Sequence, residues 1–227
     1  MTSNVTLCSA WRLYVIIDRA ASRGRDLAEL TAAAIRGGAD VIQLRDKQAS
    51  ARGLLDEAAR LLTATRSAGI PLIINDRVDI ARAVGADGVH LGQDDLPVAA
   101  ARDVLGPHAL LGVSTHSREQ AIAAEAAGAD YLGFGPIFPT PTKPEYGSIG
   151  TGLIREVTTR VRIPTVCIGG IDATTLDEVL RAGATCIAVV RAVCGADNPE
   201  AAARGLKQLL MNFPHATAQP HSIMKDR

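Results

Sequence analysis

Carboxylates and cations recur in this chain in short groups, each directly behind an apolar run. Asp76 follows "PLIIN", and the pair Asp94 and Asp95 follows "GVHLGQ". If those runs are neighbouring parallel strands, about 4.8 Å apart, their ends let the carboxylates converge. Two convergent carboxylates beside arginine and lysine suit a Mg²⁺ ion serving a phosphorylated substrate, because Mg²⁺ is held by one or two carboxylates plus phosphate oxygens. Spacing supports helix capping equally well: Asp76 for the helix over "RVDIARAV", Asp95 for one after Leu96 and Pro97.

The cations are grouped too. "QLRDK" sets Arg45 and Lys47 two apart, which on an extended segment places them on one face. On composition alone, surface pairing with Asp46, worth little, is the weightier reading. Behind later apolar runs stand Ser114, Thr115 and His116, then "FGPIFPTPTKP", then Gly169-Gly170, then Arg191. In the proline-rich stretch, Pro139, Pro141 and Pro144 lower the entropy cost of ordering a loop around a ligand. Lys143 supplies charge there, and Thr140 and Thr142 supply hydroxyl donors. Gly169-Gly170 lets backbone approach a ligand closely, and a following helix start offers N–H groups to an anion. Capping by Asp172 or Thr174 is the plainer account of that turn; its location favours phosphate. No nucleophile stands out, since Cys167 falls mid-run without a base. A lone loop histidine such as His116 is more often structural than catalytic.

These groups need a scaffold, and the glycines mark it. "GGADVIQL", "GADGVHLG", "GADYLGFG" and "GATCIAVV" each follow an alanine-rich helical pattern. Glycine suits the left-handed position that closes a helix, and the apolar run suits a buried strand. Between these joints lie "LYVII", "PLIIN", "ALLGV" and "IPTVCI". Eight short strands alternating with helices predict a parallel sheet, and eight units close into an α/β (β/α)8 TIM barrel of one domain. A doubly wound open sheet is the alternative; no GxGxxG opens a helix after the first strand. The barrel is expected over residues 1–212, its last helix from Pro199 to Leu210, with a disordered tail over 213–227. Polar groups at strand ends then share the C-terminal mouth, where barrels carry function.

Composition sets limits. The chain has 227 residues, 47% hydrophobic but only 3% aromatic, so the core is aliphatic. Lys+Arg and Asp+Glu are both 24, and zero net charge with few aromatics argues against nucleic acid. Cys8, Cys167, Cys186 and Cys194 show no CxxC or metal-type spacing, which suggests a reducing, cytoplasmic setting. No signal-peptide pattern and no membrane-length apolar run is seen. The sequence leaves open whether the chain forms a homo-oligomer.

With these motifs assembled, the chain resembles the thiamine-phosphate synthase family from about Tyr14 to Leu210. The motifs are Gln43–Lys47, Ile74–Arg77, Val89–Asp95, Gly112–His116, Gly135–Lys143 and Ile168–Ile171, all in order. The resemblance implies a transferase that joins a hydroxymethylpyrimidine diphosphate to a thiazole phosphate and releases diphosphate. It implies Mg²⁺ on Asp76 and Asp95. It assigns the pyrimidine diphosphate to Gln43, Leu44, Arg45, Asp46, Lys47, Asn75, Ser114 and Lys143, with Arg45, Lys47, Ser114 and Lys143 catalytic. It assigns the thiazole phosphate to Thr140, Pro141, Thr142, Gly170, Val190 and Arg191. Many relatives carry Ser where this chain has Arg191, which leaves the role of that side chain open. The rival readings are a thiazole tautomerase on a sister barrel, a phosphosugar enzyme of the same fold, and a non-catalytic sensor of thiamine precursors.

Overall fold

In the computed structural model the described residues are 3–140 and 147–214. Lys143, Pro141 and Thr142, and all of the expected tail beyond Pro214, lie outside them. Eight parallel strands close in sequence order: β1 (Leu13–Asp18), β2 (Val41–Arg45), β3 (Leu72–Asn75), β4 (Gly88–Leu91), β5 (Leu110–Thr115), β6 (Tyr131–Phe134), β7 (Thr165–Ile168) and β8 (Cys186–Val189). The predicted TIM barrel is therefore the observed fold.

Strand parity sorts the side chains. Leu13, Val15 and Ile17 of β1 point outward into the layer shared with the helices. Tyr14 and Ile16 point inward, where they join Val41, Ile73, Leu110, Tyr131, Val166, Cys186 and Ala188. Aliphatics dominate both layers; of the few aromatics, Trp11, Tyr14 and Tyr131 pack in the interior and Phe134 in the outer layer.

The outer ring holds α2 (Leu27–Arg36), α3 (Ala51–Ala68), α4 (Val78–Val84), α5 (Val98–Leu105), α6 (Arg118–Ala126), α7 (Ile154–Arg160), α8 (Leu176–Arg181), the four-residue α9 (Arg191–Cys194) and α10 (Pro199–Asn212). Capping follows side-chain chemistry: Asp26 accepts from Ala28 and Glu29 N–H at the start of α2, and Ser50 accepts from Gly53 N–H at α3. One joint differs from expectation. Gly37 keeps ordinary helical backbone, and Gly38, at φ +96°, makes the left-handed turn. A further helix, α1 (Asn4–Ser9), precedes the barrel and was not foreseen from the sequence. It buries Cys8 and leads into Trp11, which packs edge-on against Tyr14 and Tyr131, with ring centroids 6.0 and 5.2 Å away. No helix among the described residues is long and apolar enough to cross a membrane.

Candidate active site

The mouth of the barrel opens over a cavity of about 350 Å³. Of the residues expected to act, Gln43, Arg45, Asn75, Ser114, Thr140, Gly170, Val190 and Arg191 line it. Leu44, Asp46, Lys47, Asp76 and Asp95 do not; Leu44 faces outward and is fully buried in the helix layer, so only its backbone is available to a ligand.

The β2–β4 side is charged. β2 ends at Arg45, whose register partner on β1 is Asp18. Arg45 Nη1 donates to Asp18 Oδ2 in a tight ion pair, and Asp18 is almost wholly buried. Asp18 Oδ1 also accepts from Ala21 N–H at 3.1 Å, which fixes its carboxylate. Lys47 turns the other way and reaches Asp76 Oδ2 at 3.1 Å. The shared face expected for Arg45 and Lys47 is thus not kept, because the strand ends at Arg45 and two-residue alternation stops with it. Nor does Asp46 pair with either neighbour. Its Oδ1 accepts from Gln48 and Ala49 N–H at 3.1 Å each, and its other oxygen lies 3.7 Å from Arg19. The Asp46 side chain closes its own turn.

Asp76 has left-handed backbone at φ +62°, uncommon outside glycine. Two backbone bonds hold it there: Asp76 N–H donates to His90 O at 2.9 Å, and Arg77 N–H to Asn75 O at 2.7 Å. Asp95 stands within hydrogen-bonding reach of the Asp76 carboxyl. Asp95 Oδ2 is itself held by Gly92 N–H at 2.6 Å. Burial, then the nearness of Asp95, push the Asp76 carboxyl above the usual carboxylate range, while Lys47 pulls it down. Neither aspartate caps a helix: the N-cap positions of α4 and α5 are Arg77 and Pro97, and neither makes a side-chain cap bond. The capping alternative therefore falls away. Among the described residues no three metal-type side chains cluster. Two like-charged carboxylates forced together nevertheless fit a divalent cation completed by substrate oxygens.

The β6–β8 side is made of backbone. Gly169 and Gly170 take φ +102° and +64°. A Cβ on Gly170 would sit 2.7 Å from Phe138 Cβ, and one on Gly169 2.5 Å from Pro136 Cα. These glycines thus admit the β6 loop as well as leaving backbone open to a ligand. Phe138 N–H donates to Gly169 O at 3.0 Å, and Ile149 N–H returns to Pro136 O at 2.8 Å, so both legs of the loop are tied down. His116 Nδ1 bonds the Gly135 carbonyl, which gives that histidine a structural task. Asp172 Oδ1 accepts from Thr174 and Thr175 N–H at 2.8 and 3.2 Å; the plainer turn-closing role is present beside any role for the glycines. Arg191 is exposed at the start of α9.

All four cysteines are buried and unbridged, and burial pushes the Cys167 thiol up to about 12, so it offers no thiolate for catalysis. The sequence reading missed Tyr14, Tyr131 and His90, which also line the cavity. Counting back in twos from Asp18, Gly92 and Gly135 reaches Tyr14, His90 and Tyr131 and would have marked them as inward-facing.

Fold and mouth together define a (β/α)8-barrel enzyme with a site for small anionic substrates. Comparison with known proteins narrows this. Residues 13–193 match the family model described as thiamine monophosphate synthase. A thiamine-phosphate synthase of Chloroflexus aurantiacus is 54% identical over 201 residues, 88% of this chain and 93% of the relative. Another, from a Roseiflexus species, is 49% identical over 87% of this chain and 84% of its own. Among solved structures, thiamine phosphate pyrophosphorylase from Pyrococcus furiosus superposes with TM-score 0.83 at 39% identity, covering 90% of this chain and 98% of that one. The chain belongs to the thiamine monophosphate synthase family.

Proposed function

We propose that the barrel mouth couples 4-amino-5-hydroxymethyl-2-methylpyrimidine diphosphate with 4-methyl-5-(2-phosphoethyl)thiazole, giving thiamine phosphate and diphosphate. The enzyme is a thiamine-phosphate synthase, a transferase of the alkyl- and aryl-transferring type. The observation that carries the chemical path is the meeting of Asp76 and Asp95 beside Lys47, directly after Asn75, which lines the cavity.

Asp76 and Asp95 would hold Mg²⁺, which when bound supplies positive charge against the diphosphate oxygens. Arg45, locked by Asp18, presents a fixed fork of donors to the same leaving group. Lys47, and Lys143 from the β6 loop, add charge as the C–O bond breaks. Gln43, Asn75 and Ser114 hold the ring above the cavity floor. Gly170, with Thr140, Val190 and Arg191, receives the thiazole phosphate; Pro141 and Thr142, which the resemblance assigns to the same group, lie outside the described residues. The electron-rich aminopyrimidine bears the cation left by departing diphosphate, and the thiazole nitrogen then attacks it. No protein nucleophile or strong base is required, in keeping with the buried, protonated thiols and the committed His116. The protein's contribution is positioning and charge.

Four free cysteines also support placement in the cytoplasm. The carboxylate pair speaks against a tautomerase, which would need neither diphosphate nor metal. The test is a coupling assay with purified protein: thiamine phosphate forms with Mg²⁺ and stops in excess chelator. Undiminished turnover in chelator would remove the metal from this account; no product under any condition would favour a sensor.

A further inference from the structure

Below the mouth, five side chains from five strands form one hydrogen-bonded row across the barrel interior. Gln43 Nε2 donates to Tyr14 Oη at 2.7 Å, and the Tyr14 and Tyr131 hydroxyls are 3.0 Å apart. Tyr131 Oη lies 3.2 Å from His90 Nδ1, and His90 Nε2 lies 3.0 Å from Ser114 Oγ. The two ends, Gln43 and Ser114, are placed at the pyrimidine by the reading above. The three middle groups have no part in it. Space is nonetheless reserved for them: a Cβ on Gly112 would lie 2.1 Å from Tyr131 Cζ and 2.5 Å from His90 Nδ1. Burial pushes both phenols above their usual range, so both remain O–H.

A phenol or a neutral imidazole has one hydrogen to give within the row. Each middle group that accepts on one side must therefore donate on the other, or leave a buried hydrogen unpaired. With Gln43 Nε2 donating, Tyr14 donates to Tyr131, Tyr131 to His90 Nδ1, and His90 Nε2–H to Ser114. The Ser114 hydrogen is then free for a ligand, and Gln43 Oε1 is left as an acceptor. Turning the Gln43 amide over reverses every bond: the amide offers N–H and Ser114 accepts. In both arrangements the two ends have opposite character.

We propose that Tyr14, Tyr131 and His90 are positioning residues that couple Gln43 to Ser114, so that the site floor always offers one donor and one acceptor. Such a floor selects a flat heterocycle with a matching acceptor and donor, as in an aminopyrimidine. The inference rests on the reading of this cavity as the pyrimidine diphosphate site.

Tyr131→Phe tests it, because it cuts the row without touching either end. Dissociation constants are measured by calorimetry, with Mg²⁺, for the aminopyrimidine diphosphate and for its 4-methoxy counterpart, whose oxygen only accepts. Wild type favours the amino compound by about 100-fold or more, since a mismatched ring leaves buried polar groups unpaired. In Tyr131→Phe the preference shrinks by about tenfold, because each end now turns independently. Equal weakening of both ligands would mark a merely structural hydroxyl and overturn the inference. If the variant does not fold, ¹⁵N resonances of His90 in the wild-type complex decide: a single neutral tautomer supports the coupling, and a mixture of tautomers or an imidazolium overturns it. The wild-type coupling assay reports on the proposed function separately, so the two can fail independently.

Discussion

On the β2–β4 side of the mouth the polar groups are side chains already engaged with one another: Arg45 with Asp18, Lys47 with Asp76, Asp76 with Asp95. On the β6–β8 side they are largely backbone, shaped by Gly169 and Gly170 and by the tied legs of the β6 loop, with the exposed Arg191 beside them. On the proposed reading, the first side handles a group that leaves with growing charge, and the second a phosphate that only needs to be held. Charge that must act in a transition state is worth pre-orienting, because the protein then spends nothing on reorganisation during reaction. A phosphate held equally in ground and transition states gains little from such pre-orientation. Substitutions on the first side should therefore strike kcat, and those on the second should strike KM.

The largest effect is expected at Asp76. Asp76→Asn keeps the size and removes the charge; kcat should fall by about 100- to 1,000-fold, the usual cost of losing one pre-organised electrostatic group. Binding of thiazole phosphate, followed by calorimetry, should be unchanged. Equal losses in rate and in thiazole phosphate binding would erase the contrast between the two sides.

Next comes Asp18, which is almost wholly buried and does not line the cavity. Asp18→Ala leaves the mostly buried Arg45 guanidinium without its carboxylate, costing about 3–5 kcal/mol in denaturant unfolding. Arg45 is then misplaced, and kcat/KM for the pyrimidine diphosphate should fall roughly 10- to 100-fold. A variant with full activity would show that Arg45 does not depend on its partner for aim.

Much of this contrast was legible before the structure, though unevenly. The repeated glycine joints and short apolar runs predicted every strand, because a closed parallel sheet buries both faces and so reads as continuous apolar stretches. The ordered motifs from Gln43 to Ile171 marked the mouth. Illegible were the partnerships across strands. Asp18 and Arg45 are 27 positions apart and meet only through the β1–β2 register. Tyr14 and Tyr131 sit inside apolar runs and looked like ordinary core. Asp46, adjacent to two cations, passed for their partner, yet a local turn claims its carboxylate. Spacing shows which residues reach the mouth; pairing depends on register and on where each strand stops.

On the other side, Gly170→Ala tests whether backbone shape is the working part. The added carbon would meet Phe138 Cβ at 2.7 Å and Pro139 O at 2.9 Å, at a backbone angle alanine resists. Strain of this kind costs about 1–3 kcal/mol. Displacement of the loop should raise KM for thiazole phosphate about tenfold, a sub-ångström error in one binding partner. KM for the pyrimidine diphosphate, read in the same assay, should stay near wild type. A rise in both would mean that the two sides are mechanically one.

The smallest effect, and the sharpest test of the division, is expected at Arg191. Arg191 lines the cavity and is exposed to solvent at the start of α9. An exposed charge contact contributes roughly 0.2–1 kcal/mol, so Arg191→Ser should raise KM for thiazole phosphate by no more than about fivefold. That rise should shrink further with added salt, because the screening length for exposed charges falls from about 10 Å at 0.1 M to about 3 Å at 1 M. The contrast with Arg45 is the instructive part: the same side chain, at the same mouth, differs in burial and in having a fixed carboxylate behind it. If Arg191→Ser instead lowered kcat as steeply as Asp76→Asn, with KM unmoved, the β6–β8 side would also be acting on the transition state. The separation of charge from shape would then have to be abandoned.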